Sequence, residues 1–139
     1  MHRGFIGCTE DGLDALISLK GRVSCWLHIA DERPLDLKLI VSKLLSLGCC
    51  HFAISGPCAE AVHDEIDDTL QDRDDLILTT WCTGPIAEAA SEFLAVDCPG
   101  GGESLRVAVV CSRSSVSSFS TLAEMVRRLG ATANNEELP

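Results

Sequence analysis

A run of ionisable side chains in the middle of the chain has the residue types and spacing for metal or acid–base chemistry. Glu60, His63, Asp64 and Asp67 recur at i, i+3, i+4 and i+7 in a segment that is predicted to be helical. An imidazole and a carboxylate one helical turn apart converge on one point, as the ligands of helical metal sites do. Glu60, His63 and Asp64 are therefore candidate ligands of a divalent metal, which could activate water for hydrolysis.

The same helix also has a structural explanation and an interaction explanation. Acidic residues near a helix N-terminus stabilise the helix by about 0.3–1 kcal/mol each, and Asp67 beside His63 is an ordinary surface pair. The acidic residues of this short segment, however, repel one another; they are Glu60, Asp64, Glu65, Asp67 and Asp68. A cation or a basic protein partner would relieve that repulsion, so the helix is also a candidate contact surface.

Two cysteines lie where helices are predicted to begin. Cys58 precedes the acidic helix, and Cys82 precedes a helix that opens at Thr83-Gly84-Pro85. A helix dipole can lower the pKa of a thiol and make it a reactive thiolate, so both cysteines are candidate nucleophiles. Neither has a nearby His or Asn in a pattern that specifies a cysteine hydrolase, so ordinary loop or buried cysteines are the alternative.

Three further residues are candidate binding residues because predicted strands end beside them. Thr80 and Trp81 lie at the end of one strand, and Arg113 follows another. Ligands of parallel sheets bind outside the carboxyl ends of the strands, and Arg113 with its neighbouring serines could hold one anion. A solvated loop is the alternative for Arg113. Trp26 and Trp81 are both expected in the core.

Hydrophobic periodicity places these residues in an alternating pattern of strands and helices. Short apolar runs predict strands at 23–30, 49–54, 76–80 and 105–111, and helical spacing predicts helices that begin near 11, 36, 58, 85 and 121. This alternation predicts a small Rossmann-like (flavodoxin-like) α/β three-layer sandwich, with about four mostly parallel strands and helices on both faces. We expect one domain over 1–130 and a flexible polar tail over 131–139.

Charge and composition exclude several classes of function. The net charge of −10 repels phosphate backbones, and the absence of Tyr leaves few stacking platforms, so no nucleic-acid partner is expected. The N-terminus lacks the apolar region of a signal peptide and no apolar stretch could span a bilayer, so we expect a cytoplasmic protein without a membrane partner. The eight cysteines include no C-x-x-C pair and are expected to be reduced.

The motif around the acidic helix resembles that of an uncharacterised family of small bacterial α/β proteins. The residues that carry the resemblance are Cys58, Glu60, His63, Asp64 and Asp67, followed by Thr79-Thr80-Trp81. It covers roughly 24–111 and implies an α/β fold and a bacterial origin, without an established activity. In that family a His follows the T-T-W sequence, whereas this chain has Cys82, so the resemblance supplies no second His ligand.

Three hypotheses for the function follow from these features. The first is an acidic protein-interaction module, such as an immunity or defence-associated inhibitor or adaptor, that binds a basic partner through Glu60, Asp64 and Asp67. The second is a metal-assisted hydrolase that uses the same helix face with His63. The third is a small-nucleotide sensor at the carboxyl edge of the sheet, by analogy of fold alone. The lack of a complete catalytic motif favours a protein that is not an enzyme, and the oligomeric state is not predicted.

Overall fold

The chain alternates between strands and helices along most of its length. The computed structural model describes residues 2–16, 22–31, 34, 36–71, 73, 77–96, 98, 104–112 and 115–137. The strands are β1 (His2–Thr9), β2 (Val23–Ile29), β3 (Cys49–Ser55), β4 (Leu78–Cys82) and β5 (Ser104–Cys111). The helices are a 3₁₀ helix (Glu10–Leu16), α1 (Leu37–Ser46), α2 (Ala59–Leu70), α3 (Ile86–Ala95) and α4 (Ser115–Glu137).

The strands form one parallel sheet in the order β1-β5-β2-β3-β4. This arrangement confirms the predicted Rossmann-like α/β class, with five strands where about four are predicted. Without β1, the order β4-β3-β2-β5 is the 3-2-1-4 order of a Rossmann sheet, rather than the 2-1-3-4-5 order of flavodoxin-like sheets. β1 and β4 are the edge strands of the sheet.

Helices cover both faces of the sheet and enclose two apolar clusters. The 3₁₀ helix, α1 and α2 pack on one face, where the cluster includes Leu27, Val41 and Ile66. α3 and α4 pack on the other face, where Trp26 and Phe93 lie in the smaller cluster. Strands buried on both faces read as continuous apolar runs, which is why β2, β3 and β5 are visible in the sequence.

The turn from β3 into α2 depends on Gly56. Its φ of 115° lies in the left-handed region, where residues with a side chain are strained. A Cβ at this position would also overlap the main-chain carbonyl of Ile29 at the end of β2. Glycine therefore lets the chain turn tightly at the carboxyl edge of the sheet and start α2 at Ala59.

The predicted elements differ from the observed ones mainly at the ends of the chain. β1 is a strand that the hydrophobic pattern does not reveal, because glycines interrupt its apolar residues. Gly7 has a packing reason, since a Cβ there would lie 2.6 Å from Cγ2 of Val126 in α4. Helix α4 begins before position 121, where the sequence predicts its start, and runs without a break from Ser115 to Glu137. Burial of Met125 and Leu129 against the sheet outweighs the weak helix propensity of its Ser-rich first turns.

A disulfide between Cys50 and Cys98 corrects the expectation that all eight cysteines are reduced. Cys50 lies at the start of β3 and Cys98 follows α3, with their Cα atoms 6.0 Å apart, within the usual range for a disulfide. The pair is 48 residues apart in sequence, so no local spacing predicts it. The other cysteines are free thiols: Cys8, Cys25, Cys49, Cys58, Cys82 and Cys111.

Candidate functional site

The acidic helix α2 is joined to the edge strand β4 through His63. Its Nδ1 lies 3.1 Å from Oδ1 of Asp64, and its Nε2 lies 3.2 Å from Oγ1 of Thr79 and 3.5 Å from Oδ2 of Asp67. The Thr79 hydroxyl donates to Oδ1 of Asp67 at 2.5 Å, which leaves its oxygen to accept from the imidazole. His63 thus lies between two carboxylates of α2 and a hydroxyl of β4.

The contacts of His63 count against the predicted metal site on α2. Both ring nitrogens of His63 face oxygen atoms, so the ring must give up one contact before it can bind a metal. Glu60 is an exposed residue of the first turn of α2. Within the described parts of the chain, the ligand atoms of Glu60, His63 and Asp64 do not form a group within 4.8 Å of one another. The structure thus brings His63 together with Asp64 and Asp67, but not with Glu60.

Trp81 lies on the same face of β4 as Thr79. Its side chain is 42% exposed, and its ring centroid lies 6.5 Å from that of His63. The expectation that both tryptophans are in the core is confirmed for Trp26, which is fully buried, and is wrong for Trp81. The reason is that β4 is an edge strand and that this face of it meets the polar flank of α2.

Thr80 and Cys82 lie on the opposite face of β4, towards α3. Oγ1 of Thr80 lies 3.1 Å from Nε2 of His51, whose ring also contacts Phe93 of α3. Cys82 packs partly against the α3–α4 cluster, and its Sγ accepts a hydrogen bond of 3.4 Å from the main-chain N–H of Gly84. The two faces of the edge strand therefore carry different candidate residues.

A group that the sequence analysis missed lies beside Cys82. Cys82, Glu88 and Glu92 place one ligand atom each within 4.8 Å of the others. One sulfur and two carboxylate oxygens suit a divalent metal such as Zn²⁺, so these are the described residues best placed to hold one. A signal for part of the group was present, because Glu88 and Glu92 are spaced i, i+4 in the helix that follows Cys82.

The environment of the two candidate nucleophiles opposes thiolate formation. Burial raises the pKa of the Cys82 thiol, and the carboxylates of Glu92 and Glu88 add to that effect. Burial also raises the pKa of the Cys58 thiol, with a smaller contribution from Asp31. A helix N-terminus was expected to lower both values. The structure therefore gives no support to either cysteine as a nucleophile at neutral pH.

The carboxyl ends of β2 and β3 carry a buried polar row rather than an open pocket. Trp26 donates from Nε1 to Oγ of Ser55 at 2.7 Å, and Oγ of Ser55 lies 2.7 Å from Nδ1 of His28. Burial lowers the pKa of His28, so the neutral ring accepts from the Ser55 hydroxyl. His28 and His51 are both buried strand residues.

The crevice where the strand connections change direction lies between β2 and β5. There the Ser112 hydroxyl donates to Oδ2 of Asp31 at 3.0 Å, and the Ala30 N–H donates to the Cys111 carbonyl at 2.9 Å. A carboxylate at this point opposes a phosphate, and so opposes the nucleotide-sensor hypothesis. Arg113, the predicted anion ligand, lies outside the described residues.

No family model, no curated protein and no solved structure matches this chain at a significant level. None of the described helices has both the length and the apolar character needed to cross a bilayer. What the fold and the side chains define is a small Rossmann-like α/β protein whose sheet ends at an exposed strand between acidic helices.

Proposed function

We propose that the protein is an interaction module that binds a basic protein partner through α2 and the adjoining face of β4. The observation that carries this proposal is the exposed indole of Trp81 beside His63, flanked by the side chains of Asp64 and Asp67, which are 71% and 50% exposed. A large aromatic ring that is exposed within a polar rim is typical of the anchors of protein interfaces.

The residues of this surface have distinct roles in the proposed complex. Trp81 supplies apolar contact area, and Asp64 and Asp67 supply negative charge against Lys or Arg of the partner. Thr79 and His63 fix the direction of the Asp67 carboxylate through their contacts with it. The net charge of −10 attracts a basic partner over a longer range and raises the rate of encounter.

A finer part of the proposal concerns the kind of module. A small acidic chain that neutralises or recruits a basic protein suits an inhibitor or adaptor, such as those associated with immunity and defence. The size of the domain, its charge and the raised thiol pKa values of Cys58 and Cys82 support this choice over a thiol enzyme.

The proposal is tested by charge reversal with a matched control. The double variant Asp64→Lys/Asp67→Lys should weaken the binding of a co-purified partner by about 100-fold, because each lost pair contributes about 1.4 kcal/mol or more. The control Asp14→Lys/Asp36→Lys makes the same change of net charge at two exposed sites outside α2 and β4 and should weaken binding by less than about threefold. Calorimetric titration measures both, and an unchanged affinity in the first variant overturns the proposal.

A metal-dependent activity is a second candidate, and the group Cys82, Glu88 and Glu92 is what favours it. Zinc per chain is measured in protein purified without chelator. If Cys82, Glu88 and Glu92 hold zinc, the variants Cys82→Ser and Glu88→Gln should lose the metal, while His63→Gln should keep it. Loss of zinc in His63→Gln alone would instead place the metal on α2. A wild-type protein without zinc would rule out this candidate function.

We also propose a cytoplasmic location, which the six free thiols support and the Cys50–Cys98 disulfide opposes, so this pair provides the test. Disulfides are rare in reducing compartments, so in the cytoplasm this pair should be kept as thiols. Cells are lysed directly into denaturant that contains the alkylating agent, so that buried thiols also react, and mass spectrometry should then find all eight cysteines modified. Modification of only the six cysteines that are free in the structure places the protein in an oxidising compartment.

A further inference from the structure

Strand β4 offers an open backbone edge. It is the last strand in the sheet order and pairs only with β3 among the described strands. None of its residues from Leu78 to Cys82 is buried, whereas every residue of β2 is. An edge strand with free N–H and C=O groups is a template on which another chain can add a strand.

Carboxylates flank this edge on both faces of the sheet. On the α2 face, Asp64 and Asp67 lie near Thr79 and Trp81 through their contacts with His63. On the α3 face, Glu88 and Glu92 lie beside Cys82. Successive side chains of a strand point to opposite faces, so a strand added to β4 would meet acidic groups on each side.

This charge distribution selects between two occupants of the edge. A second copy of the chain that paired β4 to β4 would bring like charges together on both faces, which destabilises the pairing. A strand with Lys or Arg on both faces would gain ion pairs on both. Trp81 adds an apolar surface that suits a β-branched or aliphatic side chain of the partner.

We infer that β4 is the docking edge for a basic, extended segment of the partner, which adds to the sheet as a further strand. Backbone hydrogen bonds to Leu78–Cys82 hold the segment, an apolar residue covers Trp81, and basic residues face Asp64 and Asp67 on one side and Glu88 and Glu92 on the other. The inference rests on the proposed function and adds the mode of binding and the conformation of the partner.

The test uses a capped peptide, acetyl-Lys-Arg-Val-Lys-Val-Arg-Lys-amide, which as a strand presents basic residues on both faces and valines on one. Its control is the same peptide N-methylated at every backbone amide of its central residues, which keeps the charge but removes the donors for strand pairing. We expect the methylated peptide to bind at least about tenfold more weakly by calorimetry. At saturation, the unmethylated peptide should slow hydrogen exchange of the outward-facing β4 amides by about tenfold or more, and the methylated one should not.

A protein variant tests the α3 face separately. Glu88→Lys/Glu92→Lys should weaken binding of the unmethylated peptide by about tenfold, because strand addition uses both faces of the edge, while the control Asp14→Lys/Asp36→Lys should change its affinity by less than about threefold. Equal binding of the two peptides, no protection in β4, no effect of the Glu88/Glu92 variant or no binding of the unmethylated peptide each overturns strand addition. None of these results overturns the proposed function, which fails only if Asp64→Lys/Asp67→Lys leaves the affinity for the partner unchanged.

Discussion

Oγ1 of Thr79 lies 2.5 Å from Oδ1 of Asp67 and 3.2 Å from Nε2 of His63, so a single hydroxyl joins the edge strand to the acidic helix. Asp67 is 50% exposed, yet its direction is set by a strand residue that is twelve positions away in sequence. A carboxylate held in this way loses less conformational entropy when it meets a partner than a mobile one does.

Replacing Thr79 with Val removes this connection and keeps the shape of the side chain. We expect the free energy of unfolding to fall by about 1 kcal/mol, because one hydrogen bond to a charged group is lost. Partner affinity should fall by about threefold to tenfold, since Asp67 is no longer held. Urea unfolding and calorimetry measure the two effects. Thr83→Val, at an exposed position next to β4, is the control, and equal changes in both variants would count against a positioning role for Thr79.

Replacing Ser55 with Ala should lower the free energy of unfolding by about 2–4 kcal/mol. The change leaves the indole N–H of Trp26 and Nδ1 of His28 without their partner in a buried environment, and each unsatisfied group costs about 1–3 kcal/mol. Urea unfolding followed by circular dichroism measures the loss. Ser46→Ala removes an exposed hydroxyl contact in α1 and should change the stability by less than about 0.5 kcal/mol. A Ser55 variant as stable as this control contradicts the prediction.

The stability should fall as the pH drops from about 6.5 to about 4 because of His51. Burial, together with the nearby charge of Arg106, lowers the pKa of His51 from its usual 6.5 to about 4. Between these pH values the unfolded chain binds a proton that the folded protein does not. The free energy of unfolding should therefore be about 2–3 kcal/mol lower at pH 4 than at pH 7. Below a pH of about 4 this contribution no longer changes.

The variant His51→Gln isolates the effect from that of the carboxylates, which titrate in both proteins. It should be less stable than the wild type at pH 7, where it loses contacts with Ser24 and Thr80. Its stability should depend less on pH between 6.5 and 4, as measured by urea unfolding at several values in that range. Parallel pH profiles for the two proteins would show that His51 does not cause the slope.

The Cys50–Cys98 disulfide should stabilise the folded protein by about 2–4 kcal/mol, because it closes a loop of 48 residues in the unfolded chain. The variant Cys50→Ala/Cys98→Ala should lose that amount in urea unfolding. Added reductant should destabilise the wild type similarly and leave the variant unchanged. A reductant effect of the same size in both proteins would show that the stabilisation comes from elsewhere.

Elements that are buried on one or both faces could be predicted from the sequence. The spacing of Leu37, Ile40, Val41 and Leu44 predicts a helix, and all four are buried in α1. The edge strands β1 and β4 are predicted less accurately. An edge strand has a neighbouring strand on one side only, so it is less buried and needs no continuous apolar run. β4 begins and ends two residues later than predicted, so Trp81 and Cys82 belong to the strand.

The candidate site could be predicted only where one helix carries it. The spacing in α2 brings Asp64 and Asp67 to His63, as observed. The contact between Thr79 and Asp67 and the group around Cys82 depend on how β4 lies against α2 and α3, which no spacing within one segment encodes. The disulfide likewise depends on the folded sheet.

The sheet order also determines when each strand can pair during synthesis of the chain. Among the described strands, β1 pairs only with β5, in a register that matches Thr9 to Val110. β1 leaves the ribosome before β5, so among the described strands it has none to pair with until β5 has been made. Strands β2, β3 and β4 can assemble in the order of translation, whereas β1 must wait for β5, so we expect β1 to dock after the other described strands have paired.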